Sequence, residues 1–430
     1  MIILQWSTSN RGILKEASMA SQKDIIILRD LAKQYKECCE RPGQQELRKL
    51  WKAHNSLKPT RPLVLVMAGG NAGEKEFKNM KKLCEDLEFR IIEQSLRRFL
   101  WVSTLNDDTI FEPWIGVEAE RVLPPDSVWG IKPGFAQSAE GGKNMFHDVP
   151  IKTREDMKKM IKPGHKIDEG KTMARFKYIR DAVGDILPVV VNRASAFSRW
   201  RADISTDITQ FVGMEQLMIM MYEDPDWLRE ILTFMRDGIL DGQNQAEAAG
   251  DMSFFNGNNQ SMPYSEELLD PSQKRGAKRS ELWGYFAAQE FTLISPEMHE
   301  EFMLNYQLPI MKPYGLTAYG CCEDLTKKID MLRKVPNLRR IAVTPVADVE
   351  KCAEQIKKDY VLSWRPNPAH ISCGFDEARI RGIIAEGLQK SKNCFVDITL
   401  KDITTVENQP ERIPRWVQIV REEIDNFMGN

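Results

Sequence analysis

"LRRIAVTPVADVEKCAEQIKKDYVLSWRPNP", residues 338 to 368, decides how the chain is read. A short β-branched run ending near Val343 gives way to a charged, amphipathic segment, and a second apolar run opens at Val361. The same unit recurs on both sides. "DILPVVVNRAS" (185–195) leads to the helical pattern of 214–240, "GLTAYGCCED" (315–324) to 325–335, "YVLSWRPNP" to 375–391, and "CFVDITLKDITT" (394–405) to 411–427. Strands that alternate with helices argue for a parallel sheet covered by helices. No G-x-G-x-x-G follows any of these strands, and the C-terminal units are closely spaced. The expectation is therefore an α/β protein with a closed (β/α)8 TIM barrel rather than an open doubly wound sheet.

Upstream, residues 22–56 carry a charged helical pattern, and "RPLVLVMAGG" (61–70) reads as a buried strand. The expected division is a leader and helical extension over 1–60 and a barrel over 61–430, with Met19 a candidate initiator. The long irregular stretch 107–163, rich in Pro, Gly and Trp, is expected to pack over a site.

Sixty Lys and Arg stand against 62 Asp and Glu, a formal net charge of −2, which gives no global reason to expect nucleic acid or an anionic membrane as partner. No apolar run approaches the roughly 20 residues of a spanning helix. Eight cysteines without C-x-x-C spacing do not form a disulfide framework, so a soluble cytoplasmic protein with reduced thiols is expected.

In a barrel, chemistry sits at the C-terminal strand ends. Strand alternation would put Tyr319, Cys321 and Glu323 on one face, with Gly320 and Cys322 on the other. A phenol, a thiol and a carboxylate suit metal binding, polar recognition or proton delivery; the alternative is a pair of small buried cysteines. In the last strand, Val396, Ile398 and Leu400 alternate with Asp397, Thr399 and Lys401. The polar set is expected inside, with Lys401 nearest the mouth and Asp402 following it. Further candidates for the pocket are Trp364, Arg365 and Asn367 at one strand end, Glu290 at another, and Asn192, Arg193 and Trp200 at a third. Arginine suits a carboxylate or phosphate and tryptophan a planar ligand. His370 and Cys373 are read as surface or packing residues.

Assembled, "DDTIFEPWIGV", "KTREDMKKMIKP" before "GDILPVVV", "LISPEMHEEFMLNYQLPIM" before "GLTAYGCCEDLTKKIDML", and the last three units resemble the uroporphyrinogen decarboxylase superfamily over most of 60–425. The branch they resemble includes corrinoid-dependent methyltransferases. That resemblance implies a (β/α)8 barrel with an open mouth. Decarboxylases of the superfamily carry R-Q-A-G-R at the first strand end, whereas this chain reads "VLVMAGGNAGE" and lacks both arginines. Thiol-alkylating members resemble one another in a zinc-binding H-x-C motif plus a later Cys. Here Tyr319 stands at the His position, Cys321 matches, and "LKDITT" offers Asp402 but no Cys. Cys321 is thus the one metal-ligand candidate, and zinc is an open cofactor.

The resemblance implies an enzyme moving a methyl group between a small methylated substrate, such as a methoxylated aromatic handled by O-demethylases, and a corrinoid. Tyr319, Cys321, Glu323 and Lys401 would be catalytic. No D-x-H-x-x-G cobalamin-carrier motif is present, so the corrinoid is expected on a partner carrier protein. The alternative is a tetrapyrrole or small-acid decarboxylase. A homodimer, the direction of transfer and the identity of the methylated compound are left open.

Overall fold

The computed structural model describes residues 21–67, 82–133, 148–197, 202–254, 260–403 and 405–429, with the backbone of a small hairpin at Phe135–Ala136 and Met145–Phe146. Met19 and Trp200 lie outside the described residues.

Apart from that hairpin, the described strands are β1 (Leu63–Val66), β2 (Ile115–Glu118), β3 (Val189–Asn192), β4 (Trp283–Phe286), β5 (Leu316–Tyr319), β6 (Leu338–Val343), β7 (Val361–Trp364) and β8 (Phe395–Leu400). All pair in parallel. One six-stranded sheet runs β1-β8-β7-β6-β5-β4, and β2 pairs with β3 in a second. Neighbours in space are thus neighbours in sequence, and the first and last strands lie side by side. Where a closed ring was expected, the described ladders form these two sheets.

Asp107 and Asp108 explain the edge at β1. In a parallel strand alternate N–H groups face alternate neighbours, and those turned away from β8 must find other acceptors. The Val64 N–H donates to Asp108 Oδ2 and the Val66 N–H to Asp107 Oδ2, each at 2.8 Å, while the Asp108 N–H returns 2.8 Å to the Val64 carbonyl. Arg61 and Arg421 hold the Asp108 carboxylate at 2.7 and 3.0 Å. Two side chains therefore do for β1 what a ladder would do.

The stretch 22–56 forms two helices, α1 (Gln22–Glu40) and α2 (Gly43–Asn55), with Arg41 and Pro42 between them. The end of α2 enters the strand interior. Trp51 is fully buried with Leu63, Leu65, Ile110 and Tyr264, and its indole N–H donates 2.7 Å to the Asp108 carbonyl. His54 and Asn55 reach the polar residues of β6 and β8. Arg340 donates to Asp397 Oδ2 at 2.6 Å and to Asn55 Oδ1 at 2.8 Å, Ser363 Oγ donates to Asp397 Oδ1 at 2.8 Å, and His54 Nε2 lies 3.3 Å from Asp397. Burial works against ionised Asp397, but Arg340, His54 and Ser363 outweigh it and hold the carboxyl at about 2. Burial lowers His54, so its imidazole stays neutral.

Val396, Ile398 and Leu400 join the large apolar core formed with the outer helices, whereas Asp397, Thr399 and Lys401 occupy the other face of β8. Among the described residues no helix is long and apolar enough to cross a membrane.

Candidate active site

β5 ends at Tyr319, and the next residue breaks its geometry. Gly320 has φ +106°, and a Cβ there would lie 2.8 Å from both Ala342 Cβ and Leu325 Cδ1, so backbone conformation and space both require glycine. The two-residue period of the strand stops at this point. Cys321 and Cys322 consequently turn their thiols together, 3.5 Å apart, where unbroken alternation would have put them on opposite faces.

Lys401, just beyond β8, joins them. Its ammonium lies 3.6 Å from Cys321 Sγ, 3.5 Å from Cys322 Sγ, 3.3 Å from the Cys321 carbonyl and 3.2 Å from Asp402 Oδ2. Arg365, just beyond β7, donates to the same Cys321 carbonyl at 2.9 Å. Three strand ends thereby converge on one peptide group.

The thiols differ in environment. Cys321 is buried beside Tyr285, Ala287 and Ala318, whereas Cys322 is exposed. The thiol hydrogen bond to Cys322 and burial together push Cys321 up. Accepting that bond, and lying beside the Lys401 ammonium, brings Cys322 down to about 6 despite partial desolvation. One proton is shared, with the thiolate on Cys322. Alkylation of Cys322 by iodoacetamide is therefore expected to rise with pH around a midpoint near 6, because thiolate is the nucleophile and accumulates above its pKa. Cys321→Ala and Lys401→Met should each move that midpoint upward, as mass spectrometry of the labelled peptide across pH would show; an unchanged midpoint in both variants would contradict this account.

Three expectations for this strand end are corrected. Cys322 does not pack away from the mouth, and Tyr319 does not face the same side as Cys321. The Tyr319 hydroxyl donates 2.9 Å to Gln307 Oε1 and lies 2.8 Å from His299 Nε2, both on segments that pack behind β4 and β5. Burial pushes this phenol well above its ordinary value and lowers His299 to about 3. Glu323, fully buried, is a brace and not an open acid. Its Oε2 accepts from the N–H groups of Cys321 at 2.7 Å and Cys322 at 3.0 Å, and its Oε1 from Ala288 at 2.8 Å.

The remaining candidates scatter. Trp364 points into the outer core, where its ring leaves no room for a Cβ at Gly387, because strand alternation sends Ser363 and Arg365 inward and Trp364 out. Arg193 is committed to Asp251 at 2.6 Å and to Glu169, and Asn192 donates to Glu118 Oε1 at 2.7 Å. Asn367 is exposed and its Oδ1 accepts from the Ala369 N–H at 2.9 Å. Glu290 accepts from Thr206 at 3.0 Å, with its Oε2 buried and unpartnered. Burial, then the charges of Glu290, Asp207 and Glu323, keep nearby Asp203 protonated well above the usual carboxylate range. Asp402 is exposed beside Lys401, at φ +60°. Cys373 is exposed.

The sequence reading missed Gln260 and Tyr285. The Tyr285 hydroxyl donates 2.6 Å to the Gly320 carbonyl, and Gln260 Nε2 reaches Tyr285 at 3.1 Å and Cys321 Sγ at 3.9 Å. Alternation in "WGYFAAQ" could have placed Tyr285 inside with Ala287; nothing local marks Gln260. Among the described residues no three His, Cys, Asp or Glu side chains are grouped to hold a metal ion.

No family model matches the chain, and no curated protein matches it. Among solved structures it is similar to a methyltransferase from Methanosarcina mazei, with a TM-score of 0.50 and 12% identity, over 89% of this chain and 99% of that one. At that identity the likeness is one of fold.

Proposed function

We propose that the chain is a methyltransferase that moves a methyl group between a small methylated compound and the corrinoid of a separate carrier protein. The observation that carries this reading is the Lys401 ammonium set within 3.6 Å of two thiols at the end of β5. The fold likeness to a methyltransferase agrees with it, as does the sequence resemblance described above. The eight strands are read as the staves of one barrel whose C-terminal mouth is the site.

In such a transfer the bond between methyl and its oxygen, nitrogen or sulfur breaks as the bond to cobalt forms. The reduced corrinoid supplies the electron pair. What the chain must supply is a held donor, exclusion of bulk water and a proton or positive charge at the leaving atom. Lys401 provides both the charge and the available proton. Gly320 and Glu323 fix the peptide on which Lys401 and Arg365 rest. The thiols and Asp402 do not amount to the three-ligand zinc set of thiol-alkylating relatives, so no step is assigned to zinc.

The test mixes purified protein with a reduced corrinoid carrier and a panel of methyl ethers, methylamines and methyl thioethers, following the visible spectrum of cobalt. Donor-dependent alkylation of cobalt is the expected result. Turnover of uroporphyrinogen or a small acid without cobalt would replace this reading with the decarboxylase.

A further inference from the structure

Five arginines are buried among the described residues: Arg193, Arg279, Arg340, Arg365 and Arg412. Four are paired with carboxylates, namely Arg193 with Asp251, Arg279 with Glu247, Arg340 with Asp397 and Arg412 with Glu407. Arg365 is the exception. It is 3% exposed, its Nη1 donates to the carbonyls of Cys321 at 2.9 Å and Gly320 at 3.3 Å, and its Nε is buried without a partner. No carboxylate among the described residues forms an ion pair with it. Nearby Glu323 is occupied by three backbone N–H groups, and Asp402 pairs with Lys401.

A buried cation without a carboxylate partner is costly, and a bound carboxylate would supply the missing charge at Arg365. We infer that Arg365 is the carboxylate-binding residue of the mouth and that the methylated substrate is a small monocarboxylate. With Nη1 held by the two carbonyls, the Nε and Nη2 edge presents the fork that matches a carboxylate. One guanidinium edge without a carboxylate partner calls for one carboxylate. A phosphate dianion would bring a second charge toward Glu323 and Asp402. Tyr285, Ala287 and Ala318 cluster with Cys321, whose carbonyl Arg365 holds, and offer an apolar wall suited to the body of the acid. Gln260 Oε1, buried and unpartnered, gives that body one acceptor for an N–H or O–H. The carboxylate anchored at Arg365 would place the rest of the donor toward Lys401, since both cations rest on the Cys321 carbonyl.

The assignment of this acid as methyl donor rests on the methyltransferase reading, but binding can be measured without a carrier. Calorimetry on the full chain would compare methoxyacetate and the methoxybenzoates with their neutral amides and with inorganic phosphate. A carboxylate of this set is expected to bind, its amide at least about tenfold more weakly, and Arg365→Met to lose roughly 10- to 100-fold for the carboxylate while leaving the amide unchanged. Arg365→Lys, which keeps the charge without the fork, should fall between. Removing an uncompensated charge should leave the ligand-free melting temperature of Arg365→Met unchanged or higher, whereas a purely structural arginine would lower it. Equal binding of acids and amides, tighter binding of phosphate than of every carboxylate, or no carboxylate binding by folded wild type would each overturn the inference. Carboxylate binding that needs Arg365, without cobalt alkylation, would sink the methyltransferase reading alone; alkylation by neutral donors that is indifferent to Arg365 would sink the carboxylate site alone.

Discussion

Asp397→Ala is expected to destabilise the folded chain by about 3–5 kcal/mol, because it strands the Arg340 guanidinium in the strand interior. Both members of that pair are buried, Arg340 at 2% exposure and Asp397 at 0%, and among the described residues Asp397 is the one carboxylate that forms an ion pair with Arg340. Urea unfolding should show a lower midpoint with little change in slope. The doubly apolar variant Arg340→Met with Asp397→Leu should recover much of the loss, since the desolvation cost of the pair disappears with its charges. A single variant as stable as wild type would mean that Asn55, Ser363 and water suffice for Arg340. The pH dependence has a definite sign. The folded-state pKa of Asp397, about 2, lies below its unfolded value of about 3.9. Its stabilisation is therefore fully present above about pH 4 and is lost as pH falls toward 2.

The second large effect concerns the thiol pair. On the proposed transfer between a methylated compound and a corrinoid, Lys401→Met is expected to lower the rate by about 100-fold or more, the scale seen when one preorganised donor is removed from a site of developing charge. Cys322→Ser should lower transfer as well, because it alters the exposed, ionised member of the pair, whereas Cys321→Ala should chiefly cost stability, since that thiol packs against Tyr285, Ala287 and Ala318. Single-turnover cobalt spectra with the three variants, alongside their unfolding midpoints, would check this. Full activity in Lys401→Met would remove the ammonium from the mechanism. Equal losses at both cysteines with stability intact would show that the shared proton, rather than either thiol, is what matters.

How far these residues could be read in advance depended on how local their determinants are. The alternating units of 338–405 and the inward set Asp397, Thr399 and Lys401 follow from the period of a strand and from helices that cover one of its faces, and both were legible in sequence. The same rule, applied past its range, misplaced Tyr319 and Cys322. A glycine at φ +106° ends the alternation after Tyr319, and whether a glycine is used in that way depends on the approach of Ala342 and Leu325 from elsewhere in the chain. Trp364 was misplaced for a related reason: its aromatic chemistry drew it toward a ligand, while its place on the strand sent it to the helix at Gly387.

By itself, then, the sequence determined a parallel α/β architecture and brought Cys321, Arg365 and Lys401 to strand ends, because periodicity and turn chemistry act over a few residues. Only the tertiary structure decided that Asp107 and Asp108 satisfy the edge of β1, that His54 and Asn55 meet Arg340 and Asp397, and that Glu323 is consumed by three backbone N–H groups. It alone decided which buried arginines meet a carboxylate and that Arg365 rests on carbonyls instead. Pairing and burial depend on residues tens to hundreds of positions apart, so charge compensation becomes visible once the chain is folded.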